Sequence, residues 1–260
     1  MTSAYTPREE RRLIGHITPS GNTVLEPLMV QMADAASTPT SHHITRLRVE
    51  AITLSQEHAD QFDVDRMFQA AMLLADAHVD VILWSGTSGG WTGIDGDREL
   101  CERIETETGI PASTSTLALV EAMDKFGFTD FGLAVPYTPD VTKQIVEVYA
   151  RSGFRAVGSS SLGVWKNRDY AFITEAEVAE MVREADAPGA QCIIVSCTGV
   201  AAAHLVEEME ARLGKPIFDS VSVLMWKALR MLSLPADLPG WGALLAGDLE
   251  TPGRGALSTP

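Results

Sequence analysis

The chain predicts an α/β protein of two similar lobes, each a parallel sheet flanked by helices. Three observations predict it. Short β-rich runs alternate with helical stretches, which is the order of a parallel α/β sheet. Several of the runs are apolar without interruption, as strands covered on both faces must be. And three blocks of the chain recur in the same order, which marks a duplicated lobe.

Taken along the chain, the strand candidates are Leu13–Thr18, Thr45–Leu54, Val79–Trp84, Phe131–Val135, Ala156–Ser160, Cys192–Ser196 and Ile217–Phe218. The helix candidates between them are Asp65–His78, Asp97–Thr108, Leu117–Phe126, Thr138–Ser152, Glu175–Ala187, Ala201–Leu213 and Val221–Leu232. Thr174 followed by Glu177 has the spacing of a capping box, and Gly214 is placed to stop a helix. The tail from Pro235 to Pro260 is rich in Pro and Gly and is expected to wrap the surface or to be partly disordered.

The repeat is carried by three pairs of segments. Ile14-Gly15-His16-Ile17-Thr18-Pro19 matches Phe131-Gly132-Leu133-Ala134-Val135-Pro136. Val81-Ile82-Leu83-Trp84-Ser85-Gly86-Thr87 matches Cys192-Ile193-Ile194-Val195-Ser196-Cys197-Thr198. Glu107-Thr108-Gly109-Ile110-Pro111 matches Arg212-Leu213-Gly214-Lys215-Pro216. The expected division is a first lobe over residues 1–116, completed by 219–260, and a second lobe over 117–218.

Composition removes several function classes. The 260 residues are 45% hydrophobic with a formal net charge of −15 and no Lys/Arg run, so a nucleic-acid partner is not expected. No apolar stretch approaches the roughly 20 residues that span a bilayer, so no membrane partner is expected either. Met1 to Arg12 is polar and lacks the apolar core of a signal peptide. The three cysteines (Cys101, Cys192 and Cys197) have no metal-ligand spacing and are an odd number for a disulfide framework. A cytoplasmic protein is the expectation, with self-association left open.

Ligands of open parallel sheets sit beyond the C-terminal strand ends. Each lobe offers two such ends: Pro19-Ser20-Gly21-Asn22 and Gly86-Thr87-Ser88 in the first, Pro136-Tyr137-Thr138 and Cys197-Thr198-Gly199 in the second. If the lobes face each other, the four segments converge on a small pocket rich in hydroxyls and backbone N–H groups, which suits a carboxylate. Cys197 stands at a strand end before Thr-Gly and a helix, whereas Cys192 is mid-strand and Cys101 mid-helix and both read as structural. Gly86, Thr87, Ser88 and Asn22 also have plain readings as turn or cap residues. The six histidines form no ligand set, with His42-His43 placed in a loop. No P-loop, G-x-G-x-x-G, G-x-S-x-G or pyridoxal lysine is present, so neither cofactor nor metal is expected.

At these residues the sequence resembles the aspartate/glutamate racemase superfamily over roughly residues 12 to 232. Its racemases and maleate isomerases carry a cysteine at the strand end of each lobe. Here the second is present in Ser196-Cys197-Thr198-Gly199, while Ser85-Gly86-Thr87-Ser88 has glycine at the first. That pattern is similar to arylmalonate decarboxylase, as is the stretch from Gly109-Ile110-Pro111 through Tyr137-Thr138-Pro139-Asp140-Val141. Pro19-Ser20-Gly21-Asn22-Thr23 looks more like the maleate isomerase branch, where the asparagine contacts a substrate carboxylate. Trp165-Lys166-Asn167-Arg168-Asp169-Tyr170 is polar where the arylmalonate enzyme presents an apolar wall.

The resemblance implies that Thr87, Ser88, Tyr137 and the backbone around Cys197 and Thr198 hold a retained carboxylate, with Cys197 as proton donor. Pro19, Ser20, Asn22, Gly86 and Gly199 complete the expected pocket. Racemisation or cis–trans isomerisation in this group uses two thiols, whereas decarboxylation of a malonate-type acid needs one. The expected activity is cofactor-independent decarboxylation of a 2-substituted malonate or similar small dicarboxylate, through an enediolate protonated by Cys197. The alternatives are an isomerase or racemase of a small carboxylic acid and, in a different class, a two-lobe solute-binding protein. A cysteine at position 86 would be expected to restore a second thiol opposite Cys197.

Overall fold

A computed structural model describes residues 6–249 and contains two four-stranded sheets, every strand pair parallel. The first holds β1 (Arg12–Pro19), β2 (Thr40–Leu47), β3 (Val81–Trp84) and β4 (Ala112–Thr114) in the order β2-β1-β3-β4. The second holds β5 (Asp130–Val135), β6 (Arg155–Ser161), β7 (Cys192–Val195) and β8 (Ile217–Asp219) in the order β6-β5-β7-β8. The two orders are the same pattern twice, which is the duplicated architecture expected from the repeat. A main helix follows each strand: α1 (Leu25–Ala35), α2 (Val64–Asp76), α3 (Ile94–Thr108), α4 (Ser115–Phe126), α5 (Pro139–Arg151), α6 (Glu175–Ala185), α7 (Val206–Leu213) and α8 (Ser220–Met231). Helix α8 packs against α4, α1 and β3 as well as β8, so the two sheets share helical cover.

The inner strands explain the apolar runs. Val81, Ile82, Leu83 and Trp84 of β3, and Cys192, Ile193, Ile194 and Val195 of β7, are all buried, because helices cover both faces. The repeated glycine in the first block has a packing cause. A Cβ on Gly132 would meet the Ala185 carbonyl oxygen at 2.3 Å, and one on Gly15 would meet a Val79 methyl at 3.0 Å. Each glycine lets an inner strand lie close to its neighbours. The capping box at Thr174 and Glu177 is formed, and Gly214 takes the left-handed conformation that ends α7.

Some elements differ from the sequence expectation. Strand β2 lies at Thr40–Leu47 instead of Thr45–Leu54, and so contains His42 and His43. As an edge strand it is half exposed and lacks an apolar pattern. Val49, Ala51 and Ile52, which made the later stretch look like a strand, are buried as a segment that crosses the cleft. Strand β4 has only three residues, too short to register as a period. Helix α1 was not anticipated, although Leu25, Leu28, Met29 and Met32 are its buried stripe at i, i+3, i+4 and i+7. The tail, with Leu238, Leu244 and Leu245 buried, packs a short helical turn against α8 and β8, and Glu210 of α7 accepts a hydrogen bond from the Ala243 N–H. Residues 1–5 and 250–260 of the expected lobes and tail lie outside the described residues. Among the described residues no helix is long and apolar enough to cross a membrane.

Asp97 of α3 yields a stability prediction. It is 4% exposed, accepts a hydrogen bond from Thr114 Oγ1, and burial raises its carboxyl to about 7. A raised carboxyl pKa means the folded state holds a proton that the unfolded state releases near pH 4. Stability is therefore full below about pH 4 and falls as pH climbs to about 7. At ~1.4 kcal/mol per pH unit the ceiling is ~4 kcal/mol. Asp97→Asn is expected to melt several degrees higher than the parent at pH 8 and alike at pH 4.5, by calorimetry. An equal difference at both pH values contradicts the assignment.

Candidate active site

Strand ends build the site. Residues 85–88 follow β3, and residues 196–199 follow β7, the matching strand of the other sheet. Gly86 and Cys197 thus stand two residues beyond corresponding strands. Together with the ends of β1 and β5 they enclose a cavity of ≈ 20 Å³, room for about one water. Its lining includes Pro19, Asn22, Gly86, Thr87, Tyr137, Cys197, Thr198 and Gly199 of the expected residues. Two expected residues lie elsewhere. Ser20 is exposed and lines an outer cleft of ≈ 470 Å³ with Gly21, Lys166 and Arg168. Ser88 is buried behind the wall, where its Oγ accepts a hydrogen bond from Trp84 Nε1 at 3.0 Å.

The cavity also recruits Ile52, Phe62, Trp84 and Trp91, which the sequence did not nominate, and Asn167 and Tyr170 from the segment that the resemblance set against a pocket wall. Phe62, Trp84, Trp91, Tyr137 and Tyr170 form a run of edge-on aromatic contacts with centroids 5.2–6.3 Å apart. Asn167 and Ile52 arrive on two segments that cross the cleft from opposite lobes and pair there. Ile52 N–H donates to the Trp165 carbonyl, Asn167 N–H donates to the Glu50 carbonyl, and Ala51 bridges Lys166. Asn167 is 7% exposed and its Oδ1 has no hydrogen-bond partner. The cavity these segments cover has room for little more than a water. The spacing of aromatic residues gave no sign of this wall, since its members come from five separate stretches of chain.

Asn22 ties the lobes together. Its amide Nδ2 donates to the Thr198 carbonyl (3.0 Å) and Oγ1 (3.2 Å), while its Oδ1 accepts from the N–H groups of Val24 and Leu25 at the start of α1. Thr198 Oγ1 in turn donates to the Ser85 carbonyl. Thr87 Oγ1 and the Tyr137 hydroxyl are hydrogen-bonded at 2.9 Å, again across the lobes. Among the described residues, the N–H groups of Gly86, Thr87, Cys197 and Thr198 donate to no backbone carbonyl. Uncommitted backbone N–H groups of this kind can hold an anion.

Cys197 is 3% exposed and burial pushes its thiol up to about 11, against the Tyr137 hydroxyl and the backbone N–H of Gly199, which favour thiolate. Buried Asp219 adds its charge to the upward push, and its own carboxyl is raised to about 7 by burial. At neutral pH the sulfur carries its proton. Burial raises Cys192 to about 12 and Cys101 further still, and neither lines the cavity. Under the site runs a chain that sequence reading missed: His16 Nδ1 pairs with Ser85 Oγ and its Nε2 with His42 Nδ1, both at 2.8 Å. Burial lowers both rings, His42 to about 4, so they are neutral at pH 7. No three His, Cys, Asp or Glu side chains converge as metal ligands among the described residues.

Comparison with known proteins places this geometry among relatives. The family model for arylmalonate decarboxylase matches residues 27–245. A maleate isomerase from Geobacillus stearothermophilus is 26% identical over 246 residues, covering 90% of this chain and 97% of the relative. The arylmalonate decarboxylase of Bordetella bronchiseptica is 27% identical over 168 residues, covering 63% of this chain and 70% of the relative. Among solved structures, a cysteine-to-serine mutant of Nocardia farcinica maleate cis-trans isomerase with a covalently bound succinylcysteine intermediate superposes with a TM-score of 0.84. It is 24% identical and covers 92% of this chain and 99% of its own, a likeness of fold.

Proposed function

This chain belongs to the arylmalonate decarboxylase family, and from that premise we propose that it is a carbon–carbon lyase which decarboxylates a 2-substituted malonate or similar small dicarboxylate. The observation that carries the reading is the single thiol. Cys197 lines the cavity, and the matching position, Gly86, has no side chain. One carboxylate leaves as CO₂, and the electron pair of the broken C–C bond remains on the α-carbon as an enediolate. The retained carboxylate lies against Thr87, Tyr137 and the N–H groups of Gly86, Thr87 and Thr198. Cys197 gives its S–H proton to the α-carbon, and the thiolate regains a proton from solvent. A thiol with a pKa of about 11 suits this acid role, since it is protonated before CO₂ leaves.

A second reading, isomerisation of a maleate-like diacid, is favoured by the position of Asn22 in the lining and by the coverage of the maleate isomerase relatives. In that reaction the thiol adds to the alkene carbon, as the succinylcysteine of the Nocardia farcinica enzyme illustrates. Proton NMR of the protein with phenylmalonate, methylmalonate and maleate in D₂O separates the two. Decarboxylation yields phenylacetate or propionate carrying one new deuteron. Conversion of maleate to fumarate with both malonates untouched overturns the lyase reading.

A further inference from the structure

Position 86 is glycine for want of space. A Cβ built there would lie 2.3 Å from Trp84 Cζ2, 2.7 Å from Cε2 and 2.9 Å from Cη2. All three atoms belong to the indole, so the ring already stands where a side chain at 86 would begin. The backbone is not the cause, because Gly86 is absent from the positive-φ glycines. Nor is the ring free to swing away: Trp84 is 1% exposed, its Nε1 donates to Ser88 Oγ, and Phe62 packs edge-on against it. In the second lobe the residue two before Cys197 is Val195, which has no ring. The sequence offset that pairs Gly86 with Cys197 therefore also pairs Trp84 with Val195. The expectation that a cysteine could simply be placed at 86 meets this ring first.

We propose that Trp84, latched by Ser88, is the residue that makes the site one-sided. Its indole fills the part of the cavity that a second proton donor would occupy, so the substrate's α-carbon meets an aromatic wall on the first-lobe side and a thiol on the second. The stereochemical consequence rests on the decarboxylase reading; the placement of the ring does not. An indole has only a donor N–H, and here that N–H is committed to Ser88. The enediolate left by CO₂ could take a proton on either face. With water and side chains barred from one face by the ring, only the Cys197 proton is delivered, and one enantiomer forms. Trp84 is thus a positioning residue that acts by exclusion, and Ser88 acts through it.

Two readouts test this. The first is coupling between positions 84 and 86, followed by melting temperature and alkylation mapped by mass spectrometry. Gly86→Cys alone is expected to lose much of its thermal stability or fail to fold. Adding Trp84→Ala is expected to recover part of that loss relative to the sum of the single changes and to yield an alkylatable thiol at 86. Strict additivity, or Gly86→Cys melting like the parent with a reactive thiol, overturns the proposal. The second readout is the enantiomeric excess of product from a prochiral 2,2-disubstituted malonate. It is expected to fall from near-complete to a mixture in Trp84→Ala, to fall part way in Ser88→Ala, and to hold best in Trp84→Phe. A merely structural tryptophan would slow turnover with optical purity intact, which overturns the exclusion role. If the parent releases CO₂ from no malonate, the lyase reading fails, and the coupling between 84 and 86 still decides where the ring stands.

Discussion

Cys197→Ala is expected to lower turnover ~10³-fold or more, since a positioned proton donor contributes typically 10²–10⁴-fold and no second thiol lines the cavity. The fold should survive. The change removes one sulfur from a small buried cavity, and the cost belongs with modest large-to-small core changes of ~1 kcal/mol. Cys101→Ala and Cys192→Ala provide the contrast: both sulfurs are buried in packing away from the lining, so they should cost similar stability and little activity. Initial rates of CO₂ release, with melting curves for all three variants, check this. Full turnover in Cys197→Ala contradicts its role as donor.

Tyr137→Phe is expected to lower kcat by ~10²–10³-fold, the range seen when one oxyanion donor is removed. Its hydroxyl bonds Thr87 across the lobes and also reaches the Cys197 sulfur. Phenylalanine keeps the ring contacts with Trp91 and Tyr170, which hold the wall in place. Loss of the O–H removes a donor whose hydrogen bonds strengthen as charge builds on the retained carboxylate, so the deficit should fall on kcat more than on KM. A variant with unchanged kcat and raised KM places the hydroxyl in ground-state binding alone.

Much of this was legible in the sequence, for physical reasons. Inner strands covered on both faces leave apolar runs, so β1, β3, β5 and β7 were visible, and the recurrence of Gly15 at Gly132 and of Ser85-Gly86-Thr87 at Ser196-Cys197-Thr198 exposed the duplication. The strand-end rule then gathered Pro19, Asn22, Thr87, Tyr137 and Cys197, which the structure brings into one lining. Edge strand β2 was misplaced because Thr40-Ser41-His42-His43 faces solvent in part, while the apolar residues after it cover the cleft instead of a sheet face. Ser20 and Ser88 share a segment with lining residues, but a one-residue step at a strand end points a side chain elsewhere. The segment with Asn167 and Tyr170 was legible as wall only through the resemblance, and its pairing with residues 50–52 could not be read locally, because it is created only when two distant segments cross. Trp84 was read as strand core, which it also is; its second role appears only from the distance between its ring and Gly86.

A single proton delivered from Cys197 is read most directly by deuterium placement in the product. The parent protein is incubated in D₂O with phenylmalonate, and the phenylacetate is read by NMR and mass spectrometry, then returned to fresh protein in H₂O. One deuteron at the α-carbon and no washout on return are expected, because Cys197 is the one thiol in the cavity lining and Gly86 opposite it has no side chain. Two deuterons at the α-carbon, or exchange of the recovered product, would show a second proton-transferring group and contradict delivery from Cys197 alone.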